Sequence, residues 1–102
     1  MKTTLSIGLA LVLAHGAACA GIEEAMTKAG CMACHTKDKK LVGPAFKEIA
    51  AKYKGQDVTA KLMEKVRKGG SGTFGPVPMA PNGADKIGDA DLKAAVELIL
   101  KS

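Results

Sequence analysis

The stretch Cys31-Met32-Ala33-Cys34-His35 decides how the rest of this chain is interpreted. Cys-x-x-Cys-His is the attachment signature of a c-type haem. Two thiols one helical turn apart can each add to a haem vinyl group, and the imidazole that follows can then bind the iron as its proximal axial ligand. We therefore expect Cys31, Cys34 and His35 to hold one covalently attached haem c.

Two other kinds of site use cysteines at this spacing. A reducible dithiol of the thioredoxin type needs a surrounding βαβ pattern, and a zinc site needs further cysteine or histidine ligands. The sequence has no βαβ pattern, and neither cysteine nor histidine follows His35. Haem attachment is therefore the favoured interpretation of the motif.

The first 20 residues have the pattern of a secretory signal peptide. Lys2 gives a short positive region, residues 5–14 are apolar, and Ala18-Cys19-Ala20 matches an Ala-x-Ala cleavage site. We expect cleavage after Ala20, export to the periplasm, and one mature domain over residues 21–102. Acylation of Cys19 is the less favoured alternative, because the preceding residues lack the large aliphatic side chain that lipoprotein sites carry. No later stretch is apolar for long enough to cross a bilayer, so stable membrane insertion is not expected.

The mature chain would be weakly basic, with 14 basic and 10 acidic residues. The basic residues form two groups, one after the motif and one on a predicted helix: Lys37, Lys39, Lys40, Lys61, Lys65, Arg67 and Lys68. Most such charges are solvated surface, and the functional interpretation is a face that guides docking onto an acidic redox partner. With three aromatic residues and no reading motif, nucleic-acid binding is not expected.

The hydrophobic periodicity predicts an all-α chain with about four helices. The expected helices cover residues 22–29, 45–53, 58–68 and 90–100, with Pro44 at the start of the second helix. Asp57 and Asp89 are the predicted N-caps of the last two. Residues 70–88 are rich in glycine and proline and are expected to be irregular, without strands. A core this small needs a cross-link, which a covalent haem would supply.

Met79 is the predicted second axial ligand, because no histidine remains downstream and His/Met ligation serves electron transfer. Met26 and Met63 lie on or beside apolar helix faces and are expected to pack. Met32 lies between the two cysteines and cannot reach the opposite face of the haem. Met79 lies in the segment Phe74–Asn82, whose three prolines restrict the backbone and lower the entropic cost of presenting a sulfur.

The chain resembles the small class I monohaem cytochromes c of the bacterial periplasm, the type that donates electrons to nitrite reductase or a terminal oxidase. The resemblance covers nearly all of the predicted mature chain and is carried by residues 31–35, 41–46, 50–53 and 72–82. It implies about four helices around one haem, with the first and last crossing. It also implies that the Pro44 carbonyl accepts a hydrogen bond from the His35 ring, which would orient the imidazole.

Three positions, Phe74, Met26 and Leu98, depart from the pattern of the family, whereas Lys65 matches it. Phe74 stands where related chains usually carry tryptophan, whose indole can donate to a haem propionate, so that bond is lost or supplied by another group. Lys65 aligns with a basic residue that can approach a propionate. Met26 and Leu98 stand where aromatic residues often mark the helix crossing, which makes this contact softer.

The expected function is one-electron transfer without enzyme activity, because two axial ligands leave no position for a substrate. The acceptor would be a nitrite reductase or cytochrome oxidase, the donor a membrane cytochrome complex, and the carrier a monomer. Two alternatives stay open: a gas- or peroxide-binding haem protein with a detachable sixth ligand, and a haem module of a larger redox complex.

Overall fold

The computed structural model describes residue 8 and residues 17–102, with side chains from Gly21 onward. Most of the predicted signal peptide lies outside the described residues, so cleavage after Ala20 and acylation of Cys19 stay predictions. In the part of the chain that is described, no helix is both long and apolar enough to cross a membrane.

Within residues 17–102, five helices and one short hairpin follow one another. The elements are α1 (Ala17–Lys28), α2 (Cys31–Cys34), α3 (Phe46–Lys52), α4 (Thr59–Lys68), β1 (Gly70–Gly72), β2 (Gly75–Met79) and α5 (Asp89–Leu100). The prediction of a mostly helical chain is confirmed. The four expected helices are α1, α3, α4 and α5, and α2 is an additional single turn.

The core lies where α5 packs against α1, α3 and α4. Leu92, Ala95 and Val96 on α5 are buried, as their helical spacing predicts. Met26 on α1 is 1% exposed and belongs to the same cluster. Leu98 packs against this cluster. At these two positions, where the resemblance to the family implies aromatic residues, flexible apolar side chains thus contribute to the core where α1 meets α5.

The predicted N-caps of α4 and α5 are wrong. The N-cap residues are Val58 and Gly88, and neither gives a side-chain cap. Val58 is buried, and the need to bury it moves the helix start past Asp57. Asp89 is the first residue inside α5, where its carboxylate favours the positive end of the helix dipole.

The expectation that residues 70–88 lack strands is also wrong. β1 and β2 form an antiparallel hairpin in which Gly70 pairs with Met79 and Gly72 with Gly75, around the turn residues Thr73 and Phe74. Glycine and proline are depleted in strands, so this segment carries no alternating pattern that would predict a strand. The hairpin forms because its glycines adopt positive φ, 118° at Gly70 and 111° at Gly75, and because a two-stranded edge tolerates prolines without N–H groups.

The hairpin determines where Met79 lies. Met79 is the last residue of β2 and pairs with Gly70, two residues after α4 ends at Lys68. The backbone of Met79 is therefore held beside the C-terminus of α4 rather than in a free loop.

Candidate functional site

Cys31 and Cys34 are the two ends of α2, so the motif folds as a single helical turn. Residues three apart on a helix lie on the same face, which places both sulfurs on one side of the turn. Gly30, with φ 87°, supplies the left-handed backbone that separates α1 from α2. Both thiols are free and half-buried, and Cys31 also packs against the core.

The chemistry of the thiols disfavours a redox dithiol. Burial raises the pKa of the Cys31 thiol above its ordinary value, and the nearby Cys34 raises it further, while a backbone hydrogen bond partly offsets the increase. Catalytic dithiols depend on a lowered thiol pKa, because the thiolate is the attacking species. The Cys31 thiol therefore lacks this feature of a catalytic dithiol.

His35 follows α2 directly, and its ring orientation is fixed. The residue is 9% exposed, its backbone N–H donates to the Cys31 carbonyl at 2.9 Å, and its Nδ1 lies 2.7 Å from the Pro44 carbonyl oxygen. A carbonyl only accepts, so Nδ1 carries the proton and Nε2 keeps its lone pair. This is the tautomer that an imidazole needs in order to bind a metal through Nε2, and the residues present therefore fit a haem iron.

The ring of His35 is held between Phe46 and the backbone at Gly43. The Phe46 ring stacks on the imidazole with centroids 5.5 Å apart and an interplanar angle of 24°. In the loop before α3, a Cβ atom at position 43 would lie 2.6 Å from His35 Cε1. Only glycine fits there, so Gly43 and Phe46 position the ring as much as Pro44 does.

We expect Gly43→Ala to destabilise the protein by about 1–3 kcal/mol, the usual cost of an added methyl group in a packed site. The methyl group would push the imidazole away from Pro44. Chemical denaturation of the haem-containing protein measures the loss, and Gly88→Ala is the matched control, since position 88 has negative φ (−68°) and open space around its Cβ. Equal stability of Gly43→Ala and the unsubstituted protein would contradict the crowding at His35.

The four methionines of residues 21–102 have distinct environments. Met26 is buried in the core, Met63 packs against it, and Met32 is exposed between the cysteines. Met79 is partly buried at the end of the hairpin and does not belong to the core cluster. Its side chain is thus the one of the four whose partial burial the protein core does not explain.

The structure places Phe74 and Lys65 around the hairpin. Phe74 is at the hairpin turn, and Lys52 of α3 lies over its ring, with Nζ 5.5 Å from the centroid. Lys65 on α4 points toward β1, with Nζ 3.0 Å from the place of a Cβ at Gly70. The hairpin therefore carries Met79 and Phe74, while α2 and the loop after it carry the cysteines, His35 and Pro44.

Sequence reasoning missed two residues of this region. The sequence pattern places Arg67 in a group of surface bases, but its guanidinium donates to the carbonyl oxygens of Asn82 at 3.2 Å and Ile87 at 2.7 Å. Asn82 in turn donates its backbone N–H to the Val66 carbonyl at 3.0 Å. These partners are 15 to 20 residues apart along the chain, and no local pattern signals a contact of that range.

Comparisons with known proteins agree with this geometry. The model of the family described as Cytochrome c matches residues 20–102. Cytochrome c2 of Rubrivivax gelatinosus is 51% identical over 80 residues, covering 78% of this chain and 94% of that protein. Cytochrome c-551 of Azotobacter vinelandii is 44% identical over 79 residues, covering 76% and 93%.

A solved structure gives the same result for the fold. The crystal structure of wild-type Nitrosomonas europaea cytochrome c552 superposes with a TM-score of 0.69 at 42% identity. The match covers 78% of this chain and 96% of that one.

Proposed function

The chain belongs to the cytochrome c family, has the class I cytochrome c fold and binds one covalent haem c, and from this premise we propose that it is a periplasmic one-electron carrier whose axial ligands are His35 and Met79. The observation that carries the proposal is the His35–Pro44 hydrogen bond of 2.7 Å, which presents Nε2 as a ligand directly after the two cysteines. When bound, haem c supplies an Fe(III)/Fe(II) couple that accepts and returns one electron.

The protein residues orient and shield this group. Cys31 and Cys34 would hold it through thioethers, and His35 would bind the iron on one side. Pro44 and Phe46 keep the imidazole from rotating, which keeps the change in geometry between the two redox states small. The Pro44 carbonyl also makes the imidazole a stronger donor through its hydrogen bond.

Met79 is proposed as the ligand on the other side. Its sulfur is not committed to the protein core, and its backbone is held by pairing with Gly70. A thioether ligand raises the reduction potential relative to a second imidazole. Two protein ligands leave no open position for a substrate, which is the reason to assign transfer of electrons and no enzyme activity.

The proposed docking face combines exposed apolar side chains with a lysine group. Among residues 21–102, five large apolar side chains are exposed: Met32, Leu41, Val42, Phe74 and Val77. Met32 lies inside the haem motif, and the lysines at positions 37, 39 and 40 follow the motif directly. An apolar centre with a positive rim suits brief contact with an acidic partner. We propose a nitrite reductase or cytochrome oxidase as acceptor and a membrane cytochrome complex as donor for a monomeric carrier.

Optical spectra of the exported protein in both redox states, with an intact mass, test the proposal. We expect a mass of residues 21–102 plus one haem, sharp low-spin bands, and a weak far-red sulfur-to-iron band in the ferric state. A high-spin spectrum that changes when carbon monoxide is added would contradict His/Met ligation and indicate a gas- or peroxide-binding protein. Purification only as part of a membrane complex would contradict a freely diffusing monomer.

Charge reversal at the lysine group is expected to slow electron transfer. For Lys39→Glu/Lys40→Glu, we expect the second-order rate constant with an acidic partner to fall about tenfold at low salt, since steering by charge changes association rates by roughly 10 to 1,000-fold. Stopped-flow measurements across a salt series give the rate and its salt dependence. Lys93→Glu/Lys101→Glu, with the same change in charge near the C-terminus, is the control, and equal slowing in both double variants would argue against a localised docking face.

A further inference from the structure

We propose that Arg67 is a positioning residue that holds the Met79 segment against α4 and so resists displacement of the methionine by other ligands. The inference deepens the proposed function and rests on Met79 being the ligand. In the described residues no hydrogen bond joins Arg67 to Met79. Arg67 acts through the backbone that follows Met79.

The guanidinium of Arg67 joins three parts of the chain. Nη1 donates to the carbonyl oxygens of Asn82 at 3.2 Å and Ile87 at 2.7 Å, and Nη2 donates to Asp89 Oδ1 at 2.7 Å. One side chain thus holds both ends of the loop between residues 82 and 87, together with the first residue of α5.

Because Arg67 is largely buried, its hydrogen bonds are stronger than those of a surface cation. Its side chain is 23% exposed, whereas Lys68, the next residue, is 73% exposed and only pairs with Glu64 one turn earlier on α4. Hydrogen bonds from a charged donor in a partly buried position are stronger than neutral or solvated ones. Arg67 is therefore a bridge between elements, while Lys68 is a surface residue on one helix.

Asn82 links the bridge to Met79. Its backbone N–H donates to the Val66 carbonyl at 3.0 Å, and its side-chain Nδ2 donates to the Ala80 carbonyl at 3.0 Å. On the other side, Met79 pairs with Gly70. The backbone from Met79 to Asn82 is thus fastened to α4 and β1 at both ends, and Arg67 holds the end at Asn82.

Gly69 completes the close contact between this segment and α4. The space of a Cβ atom at position 69 is taken by the Met79 carbonyl oxygen and by Pro81 N, and Gly69 has φ 69°. The segment therefore lies directly on the C-terminal end of α4. For Met79 to leave the iron and admit another ligand, the segment has to move off this surface, and the bonds of Arg67 oppose that movement.

Imidazole binding to the ferric haem-containing protein tests the role of Arg67. Imidazole competes with the methionine, and the loss of the far-red sulfur-to-iron band follows the exchange. For Arg67→Met we expect about a tenfold or greater increase in apparent imidazole affinity, the factor that corresponds to losing one charge-assisted hydrogen bond. Arg67→Lys is expected to fall between Arg67→Met and the parent, because an ammonium cannot span the three acceptors as the planar guanidinium does.

Lys68→Met is the matched control, since it removes one positive charge from the adjacent position of the same helix. We expect its imidazole affinity to equal that of the parent. Unchanged affinity in Arg67→Met and Arg67→Lys, with the far-red band lost in Met79→Ala, would overturn the role of Arg67 and leave the proposed function intact. A far-red band that persists in Met79→Ala would overturn the proposed ligand and this inference with it.

Discussion

Met79→Ala is expected to abolish the far-red band and to lower the reduction potential by on the order of a tenth of a volt or more, within the roughly 0.8 V range over which axial ligands set haem potentials. The sulfur ligand favours the ferrous state, and alanine has no donor atom. A redox titration monitored in the visible region, together with the ferric spectrum, measures both effects. The iron site would also become open to carbon monoxide in the reduced state.

Met63→Ala is the control for this substitution. Met63 lies on α4 and packs against the core, so its removal is expected to cost about 2 kcal/mol of stability as a cavity effect. Its far-red band should persist and its reduction potential should stay close to that of the parent. Loss of the band in Met63→Ala, with retention in Met79→Ala, would identify Met63 as the sulfur ligand and contradict the assignment to Met79.

Preventing haem attachment is expected to leave the chain largely unfolded. In Cys31→Ser/Cys34→Ser neither thioether can form, and circular dichroism should show the loss of most helical signal and of a cooperative melting transition. The buried core cluster contains two alanines and a single aromatic ring among its seven residues, Met26, Ala29, Phe46, Ile87, Leu92, Ala95 and Val96. A core in a domain of this size supplies rarely more than about 3–5 kcal/mol, so we expect the covalently attached haem to supply stability that this core lacks.

The single variant Cys34→Ser provides the comparison, because one thioether at Cys31 can still retain the haem. We expect it to fold and melt cooperatively, at a lower temperature than the parent. A fully helical, cooperatively melting double variant without haem would contradict the dependence of the fold on haem. It would also mean that the helices packed against α5 are sufficient by themselves.

The predictions that succeeded rest on short-range patterns. Apolar residues at helical spacing predicted four of the five helices and the inward face of α5, since the period of a helix is visible within a dozen residues. The core position of Met26 followed from the same periodicity. The predicted N-caps at Asp57 and Asp89 failed, because the buried Val58 takes the N-cap position of α4 and Gly88 takes that of α5, which leaves Asp89 inside the first turn.

The predictions for the hairpin segment and its anchoring failed for a different reason. The segment from Gly70 to Pro81 is rich in glycine and proline and shows no alternation of apolar and polar residues. The pairing of its two strands therefore depends on positive-φ glycines and on packing against α4. In the sequence, Arg67 is one of several basic residues on a charged helix. Only its hydrogen-bond partners, 15 to 22 residues away, distinguish it from Lys68. The crowding of Gly43 against His35 likewise involves residues that are apart in sequence.

The sequence by itself determined the attachment of haem, because the cysteine pair and the histidine that follows it have the identities and spacing of the haem c motif, and it supplied the methionine that we propose as the second ligand. Tertiary structure alone decided how those groups are held. The Pro44 carbonyl selects the tautomer of His35, Gly43 and Phe46 fix its ring, and Arg67 with Asn82 holds the Met79 segment on α4. Orientation depends on distances between atoms that are far apart in the chain, and these distances exist only after the helices have packed.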